Sequence, residues 1–422
     1  MTSESARMSI RNAPLLLCRV CSPWREIALT TPMIWTTVGI VICRWQNWDV
    51  WAAPRIINAW LQRSGALPLT LRLDYNPYHC RSCAKDPSRV ELELIDAILI
   101  VFSFHSPRWQ DVTLSFYGTP PVSWPQLGNL PLLRTLHLHG RSHTAVNLMF
   151  SRSPNLTRLS GPYPFFGLPN PHDHISHLCI STRISIFDAS EAIRLCPRLE
   201  EFQASPYSSG PDSRLPRSPT VENHSLRTLV ITSRHFRLLF NSLTLPSLRE
   251  VSLNIGDPDD TSYFEFPGFL DFLTRSGCKL DTIRLKNWTL SEAMVLVLLE
   301  HRSLDTVQVL TINNSYNHRM FTEDVLIRLT NPPIAESRVL LPNLTRLTLG
   351  KCIAHDVSPS TLGRMIHSRR CSWDEYGTEQ LTFLSLITPG IDLFHDPWLR
   401  EAISDGLVAN NITSWLSIPH WM

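Results

Sequence analysis

Apolar residues recur along most of the chain in one short phrase. The most regular copy is LPNLTRLTLGKC at 341–352, where Leu344, Leu347 and Leu349 stand at i, i+3 and i+5 and Cys352 follows three residues on. Apolar and polar positions alternate through it, the period of a strand with one buried face. Similar phrases begin at Trp109, Leu133, Leu156, Ile175, Leu199, Leu226, Leu248, Leu280, Leu304 and Leu381. Most anchors are followed by apolar residues at i+3 and i+5. These are Val112 and Leu114, Leu136 and Leu138, Leu178 and Ile180, Leu229 and Ile231, Val251 and Leu253, Ile283 and Leu285, Val307 and Val309, and Leu384 and Leu386. Leu159 with Gly161, and Phe202 with Ala204, are weaker copies. Between phrases the spacing predicts helices over 188–195, 267–275, 291–301, 323–329 and 358–369. Polar loops are expected over 205–219 and 257–263.

The phrase is the L-x-x-L-x-L-x-x-C frame of a leucine-rich repeat, and early steps of about 19–27 residues suit its ~20–29-residue period. Later steps are longer and imply inserted helices or loops. The expected fold is α/β, an irregular leucine-rich-repeat solenoid over 106–390, because one repeat cannot bury its apolar face alone. A terminal cap is expected over 391–422, burying Trp415 and Trp421. Alternation would put the intervening residues on the open, concave face. That ladder reads Thr135, His137 and His139; Arg158 and Ser160; His177 and Cys179; Glu201 and Gln203; Thr228 and Val230; Glu250, Ser252 and Asn254; Thr282, Arg284 and Lys286; Thr306 and Gln308; Arg346 and Thr348; Phe383 and Ser385. Solenoids bind partners on such faces. The ladder is therefore the candidate partner surface, with a protein favoured over a phosphate backbone by its mixed charge.

Upstream, residues 1–13 are polar and are expected to be disordered. Leu16, Leu17, Val20, Trp24, Ile27 and Ala28 form one apolar stripe near helical spacing. Pro23 interrupts it, so two short helices or a kink are expected there, and Thr31-Pro32 ends the second helix. Trp35 is expected in extended chain. A linking region over 38–105 should hold strands at 38–42 and at Leu69, Leu71 and Leu73, a helix from Asp49, a loop at 76–88 and a helix over 90–105.

The segment at 14–37 resembles the second half of an F-box, whose pattern is roughly L-x-x-V-C-x-x-W-R-x-[IL]-A-x-x-x-P-x-[LI]-W. Leu17, Val20, Cys21, Trp24, Arg25, Ile27, Ala28, Pro32, Ile34 and Trp35 carry the match. Arg63, Ser64, Pro68, Leu69, Leu71 and Leu73, and HSPRWQDVTL at 105–114, are similar to F-box proteins abundant in mushroom-forming fungi. The F-box opening helix has no counterpart in 1–13. The resemblance implies docking on the Skp adaptor of a cullin-based ubiquitin ligase through Leu17, Val20, Cys21, Trp24, Ile27, Pro32 and Trp35. The repeats would then hold an unidentified protein substrate. The alternative is a repeat scaffold that has lost adaptor binding.

Composition narrows the chemistry. Apolar residues make up 43% and charged residues 18%, and the formal charge is +2, so no strong field points to nucleic acid. The N-terminus lacks the shape of a secretion signal, and the longest apolar run elsewhere, 95–104, is too short to span a bilayer. A cytoplasmic or nuclear location with reduced thiols is expected for the ten scattered cysteines. The sequons at Asn155 and Asn343 then read as chance matches. Cys18-x-x-Cys21 and Cys80-x-x-Cys83 lie too far apart for a compact zinc site, and the first pair suits small buried hydrophobes. His172, His174 and His177 read as a solvated loop at a loop-to-strand junction. No nucleophile, metalloprotease or phosphate-loop motif occurs. The expectation is a binding protein without metal, cofactor or catalytic residues.

Overall fold

The computed structural model of the protein describes residues 13–42, 52–75, 89–116, 127–140, 143–163, 172–207, 220–256, 266–315, 319–331, 338–371, 377–387 and 396–411. The expectations for 1–12, the Asp49 helix onset, the 76–88 loop with Cys80 and Cys83, the 257–263 loop, most of the 205–219 loop, Trp415 and Trp421 lie outside these residues. The chain is α/β and divides into two compact units, Met1–Arg183 and Ile184–Met422.

The first unit carries helices α1 (Ser22–Thr30), α2 (Ala52–Arg63), α3 (Arg89–Phe104) and α4 (His143–Ser151). Its strands are β1 (Thr37–Ile42), β2 (Leu69–Tyr75), β3 (Trp109–Phe116), β4 (Thr135–His139), β5 (Arg158–Gly161) and β6 (His177–Ser185). They pair in parallel and in sequence order. In β2, Leu69, Leu71 and Leu73 are buried while Thr70 and Arg72 are exposed, so period two selects the strand and its inner face.

Trp35 differs from expectation. It closes a 3-10 turn at Pro32–Trp35 and is fully buried. The turn carries its indole back to α1, where Nε1 donates to the Ala28 carbonyl at 2.7 Å. Trp60 of α2 meets the ring edge-on at 5.0 Å and donates its own Nε1 to the Trp35 carbonyl at 3.1 Å. The Arg63 guanidinium lies 4.8 Å from the ring centroid. An extended backbone would not let one residue serve α1 and α2 together. Arg108, from the HSPRWQDVTL stretch, donates to the carbonyls of Leu61 and Leu67 and to Ser64 Oγ, tying the turn after α2 to the start of β3.

The second unit runs α5 (Ile186–Leu195), β7 (Glu201–Tyr207), β8 (Val221–Glu222), β9 (Thr228–Thr232), α6 (Phe236–Asn241), β10 (Leu243–Thr244), β11 (Glu250–Asn254), α7 (Phe266–Ser276) and β12 (Thr282–Lys286). It continues with α8 (Glu292–Leu299), β13 (Val309–Asn313), α9 (Glu323–Leu329), β14 (Arg346–Gly350), α10 (Pro359–Cys371), β15 (Phe383–Ile387), α11 (Pro397–Ser404) and β16 (Val408–Asn411). The main sheet is parallel in the order β7-β9-β11-β12-β13-β14-β15-β16, and β8 pairs β10 separately. Caps set the helix starts. Ser185 and Asp188 form a reciprocal capping box on α5, and Ser291, Thr322 and Asp396 cap α8, α9 and α11.

Every anchor of the recurring phrase is buried, from Trp109 to Leu381. One frame shifts. In LDTVQVLTIN, apolar residues stand at 304, 307, 309, 310 and 312 and fit two overlapping frames. Pairing selects the later one, with Val307, Leu310 and Ile312 inward, because Thr282 pairs with Val309 and Arg284 with Thr311. Thr306 and Gln308 therefore precede β13, and Gln308 spends its carbonyl on the amides of Thr345 and Arg346. Residues 205–207, expected in a loop, end β7 instead.

Candidate functional site

Two surfaces merit attention. The first is the apolar segment before β1. Leu16, Val20, Trp24, Ile27, Leu29 and Met33 are all exposed, Ile27 at 62% and Met33 at 73%. Of α1, only Ala28 is buried. Proline at the start of α1 costs no helical hydrogen bond. Arg25 Nε donates to the Cys18 carbonyl at 2.8 Å and holds the preceding 3-10 turn, Leu17–Arg19, against the helix. Val20, Trp24 and Ile27 thus share one exposed stretch with Pro32, while Leu17 is half-buried. Two expectations need correction. Cys21 is exposed at the N-cap of α1, since it precedes the helix instead of facing its inner side. The Trp35 indole is internal and offers nothing to a partner.

The second surface is the polar face of the strands. In the first unit, Thr113, His137, Ser160 and Cys179 align across β3 to β6, beside Asp111, Thr135, Arg158 and His177. Burial, then His139 and Arg158, hold His137 below its ordinary value, with Asp111 opposing them. Ser160 is buried.

In the second unit, Glu201, Thr228, Glu250, Thr282, Val309, Arg346 and Phe383 form one row across the strands. Gln203, Val230, Ser252, Arg284, Thr311, Thr348 and Ser385 form the next. Thr282 and Ser385 are buried, so they contribute floor rather than reach. Arg284 Nη1 lies 3.4 Å from Glu250 Oε2, an exposed pair of opposite charges. The Arg346 guanidinium stacks 4.6 Å from the Phe383 ring centroid. Lys286 is exposed. Gln308 is not in the row. Thr311 takes the expected place, and the signal for it was the second apolar frame at Val307, Leu310 and Ile312.

His172 and His174 are not solvated. Their rings lie 6.0 Å apart and half-buried, with His172 against Phe150 at 4.7 Å. Burial lowers both below their ordinary value. His177 sits apart, hydrogen-bonded to Ser176 at the start of β6. Among the described residues no three His, Cys, Asp or Glu side chains group as metal ligands, and no helix is long and apolar enough to cross a membrane. Burial pushes the Cys278 thiol up to about 11 and the Cys352 thiol higher still, which keeps both protonated and unreactive at neutral pH. Comparison with known proteins found no matching family model and no matching curated protein.

Proposed function

We propose that the protein is an F-box-type interaction protein with a leucine-rich-repeat solenoid. The N-terminal segment would dock on a Skp-type adaptor, and the polar strand face would hold a protein substrate for ubiquitin transfer by a cullin-based ligase in the cytoplasm or nucleus. The observation that carries this reading is the exposure of Val20, Trp24, Ile27 and Met33 on the stretch that bears Val-Cys-x-x-Trp-Arg. A solvated apolar surface of that kind is the mark of an interaction site. Parallel strands alternating with short helices, with buried Leu344, Leu347, Leu349 and Cys352 in the most regular phrase, support the repeat reading. The mechanism is proximity. The chain supplies no bond chemistry and raises the concentration of a substrate lysine beside a charged ubiquitin enzyme.

Titration of the purified chain with a Skp-type adaptor tests it. Binding is expected, weakened about tenfold or more by Trp24→Ala or Val20→Asp, as for an exposed apolar anchor. Both residues are exposed, so these variants keep the fold. If neither this chain nor one extended by an F-box opening helix binds the adaptor, the reading is overturned.

A further inference from the structure

The polar face of the second unit changes sign along its length. Glu201 and Glu250 stand on β7 and β11, while Arg284, Lys286 and Arg346 stand on β12 and β14. Nearby carboxylates are already engaged. Glu250 pairs with Arg284, Asp281 with Arg249 at 3.8 Å, and Asp305 with Arg338. Lys286 and Arg346 form no ion pair among the described residues, and both are exposed. Between them lie Thr311 and Thr348, small half-buried side chains with hydroxyls to donate. Phe383 on the neighbouring strand fixes Arg346 by stacking, which lowers the entropy lost when the guanidinium captures a ligand.

We infer that β12 to β15 form a docking surface for an acidic, extended segment of a partner protein. This inference rests on the reading of the strand face as the partner surface and adds its chemistry. In register, Lys286 aligns with Asn313 and Gly350, and Arg346 aligns with Val309 and Thr282. The two cations are thus two strands and four residues apart, roughly 16 Å between backbone positions at ~4.8 Å per strand and ~3.3 Å per residue. An extended segment covers that span in about five residues. Two carboxylates at that separation would meet one cation each, with the chain between them lying on the threonines. Arg284 is the third contact and becomes available when an incoming carboxylate displaces Glu250, an exchange that costs little because exposed pairs are weak.

Fluorescence anisotropy with a labelled decapeptide rich in Asp and Glu, its Lys-rich counterpart and an oligothymidine strand tests this. The acidic decapeptide should bind, more weakly as salt rises, and the Lys-rich peptide should not. Lys286→Glu with Arg346→Glu should weaken binding about tenfold or more, since like charges then face each other. Arg302→Glu, an exposed reversal outside the strands, should leave it unchanged. No binding of the acidic decapeptide, or equal binding by the double variant, overturns the inference. Tighter oligothymidine binding that is lost in the same variant also overturns it, in favour of nucleic acid. Adaptor binding without decapeptide binding removes this inference alone. Decapeptide binding without adaptor binding supports it and removes the adaptor reading.

Discussion

Arg369 shows how far a side chain's role can depart from its type. It is fully buried in α10 and has no carboxylate among its hydrogen-bond partners. Its guanidinium donates to three backbone carbonyls, those of Leu329 at 2.6 Å, Leu341 at 3.0 Å and Leu340 at 2.6 Å. Burial lowers its pKa to about 10, so it remains charged at neutral pH. The planar fork satisfies carbonyls at the end of α9 and before β14 that no regular element reaches. Arg369→Leu should destabilise the protein by roughly 3 kcal/mol or more, as the carbonyls of Leu329 and Leu340 lose their guanidinium donors, while that of Leu341 keeps the Leu344 amide. Arg369→Lys should recover little, because an ammonium cannot span the three carbonyls. Urea midpoints of the three proteins check this, and a fully stable lysine variant would contradict it. Nothing in the sequence marks Arg369. The text SRRC at 368–371 reads as a basic helix end, and its depth depends on which loops pack over it. Trp35 carried the same ambiguity, since its hydrogen-bonding partner on α2, Trp60, lies 25 residues away. By contrast Leu347 and Leu349 were legible as core from their spacing alone.

At the scale of elements, α10 and α11 meet through a glycine. A Cβ on Gly363 would lie 2.6 Å from Asp396 Cγ and closer still to its Oδ1. Asp396 is buried and caps α11, its Oδ1 accepting from the Leu399 amide at 3.0 Å. Alanine normally favours a helix interior over glycine by about 0.5–1 kcal/mol. Here the close approach reverses the sign. Gly363→Ala should destabilise by about 1 kcal/mol or more as the cap is displaced. In an Asp396→Ala background the same change should become neutral or stabilising. Equal effects in both backgrounds, read from thermal midpoints, would show that the contact does not matter. Helices α5, α7, α8, α9 and α10 fall close to where apolar spacing placed them, whereas α4 and α6 did not stand out. Both carry a buried i, i+3, i+4 stripe, Val146, Met149 and Phe150 in α4 and Phe236, Leu239 and Phe240 in α6, that the reading of the repeated phrases passed over.

At the scale of the whole molecule, five histidines share a direction. His105, His137, His172, His174 and His301 are all held below their ordinary value of 6.5, with burial the first cause in each. Over the interval below 6.5 the unfolded chain therefore binds protons that the folded chain refuses. This contribution to stability is present in full above that value and is lost as pH falls through the lowered folded values. Urea midpoints should fall between about pH 7 and pH 5, and an unchanged midpoint would contradict the shared shift.

Strand periodicity and the identity of the core were open to a local reading, because alternation selects an inner face without reference to other strands. The polar face was legible as a set of positions for the same reason. Its chemistry was not. Pairing across β12 and β13 decided that Thr311 and not Gln308 joins the row. Packing decided that Glu250 is taken by Arg284 while Lys286 and Arg346 stay open. Around the N-terminal segment, spacing marked one apolar stripe, and only the packed structure sorted it: Ala28 went inward, while Leu16, Val20, Trp24 and Ile27 were left in water. Trp35, expected in extended chain, turned inward to hold α2. Hydrophobic period is a property of neighbours in sequence, whereas partnership between side chains belongs to residues that only the packed chain brings together.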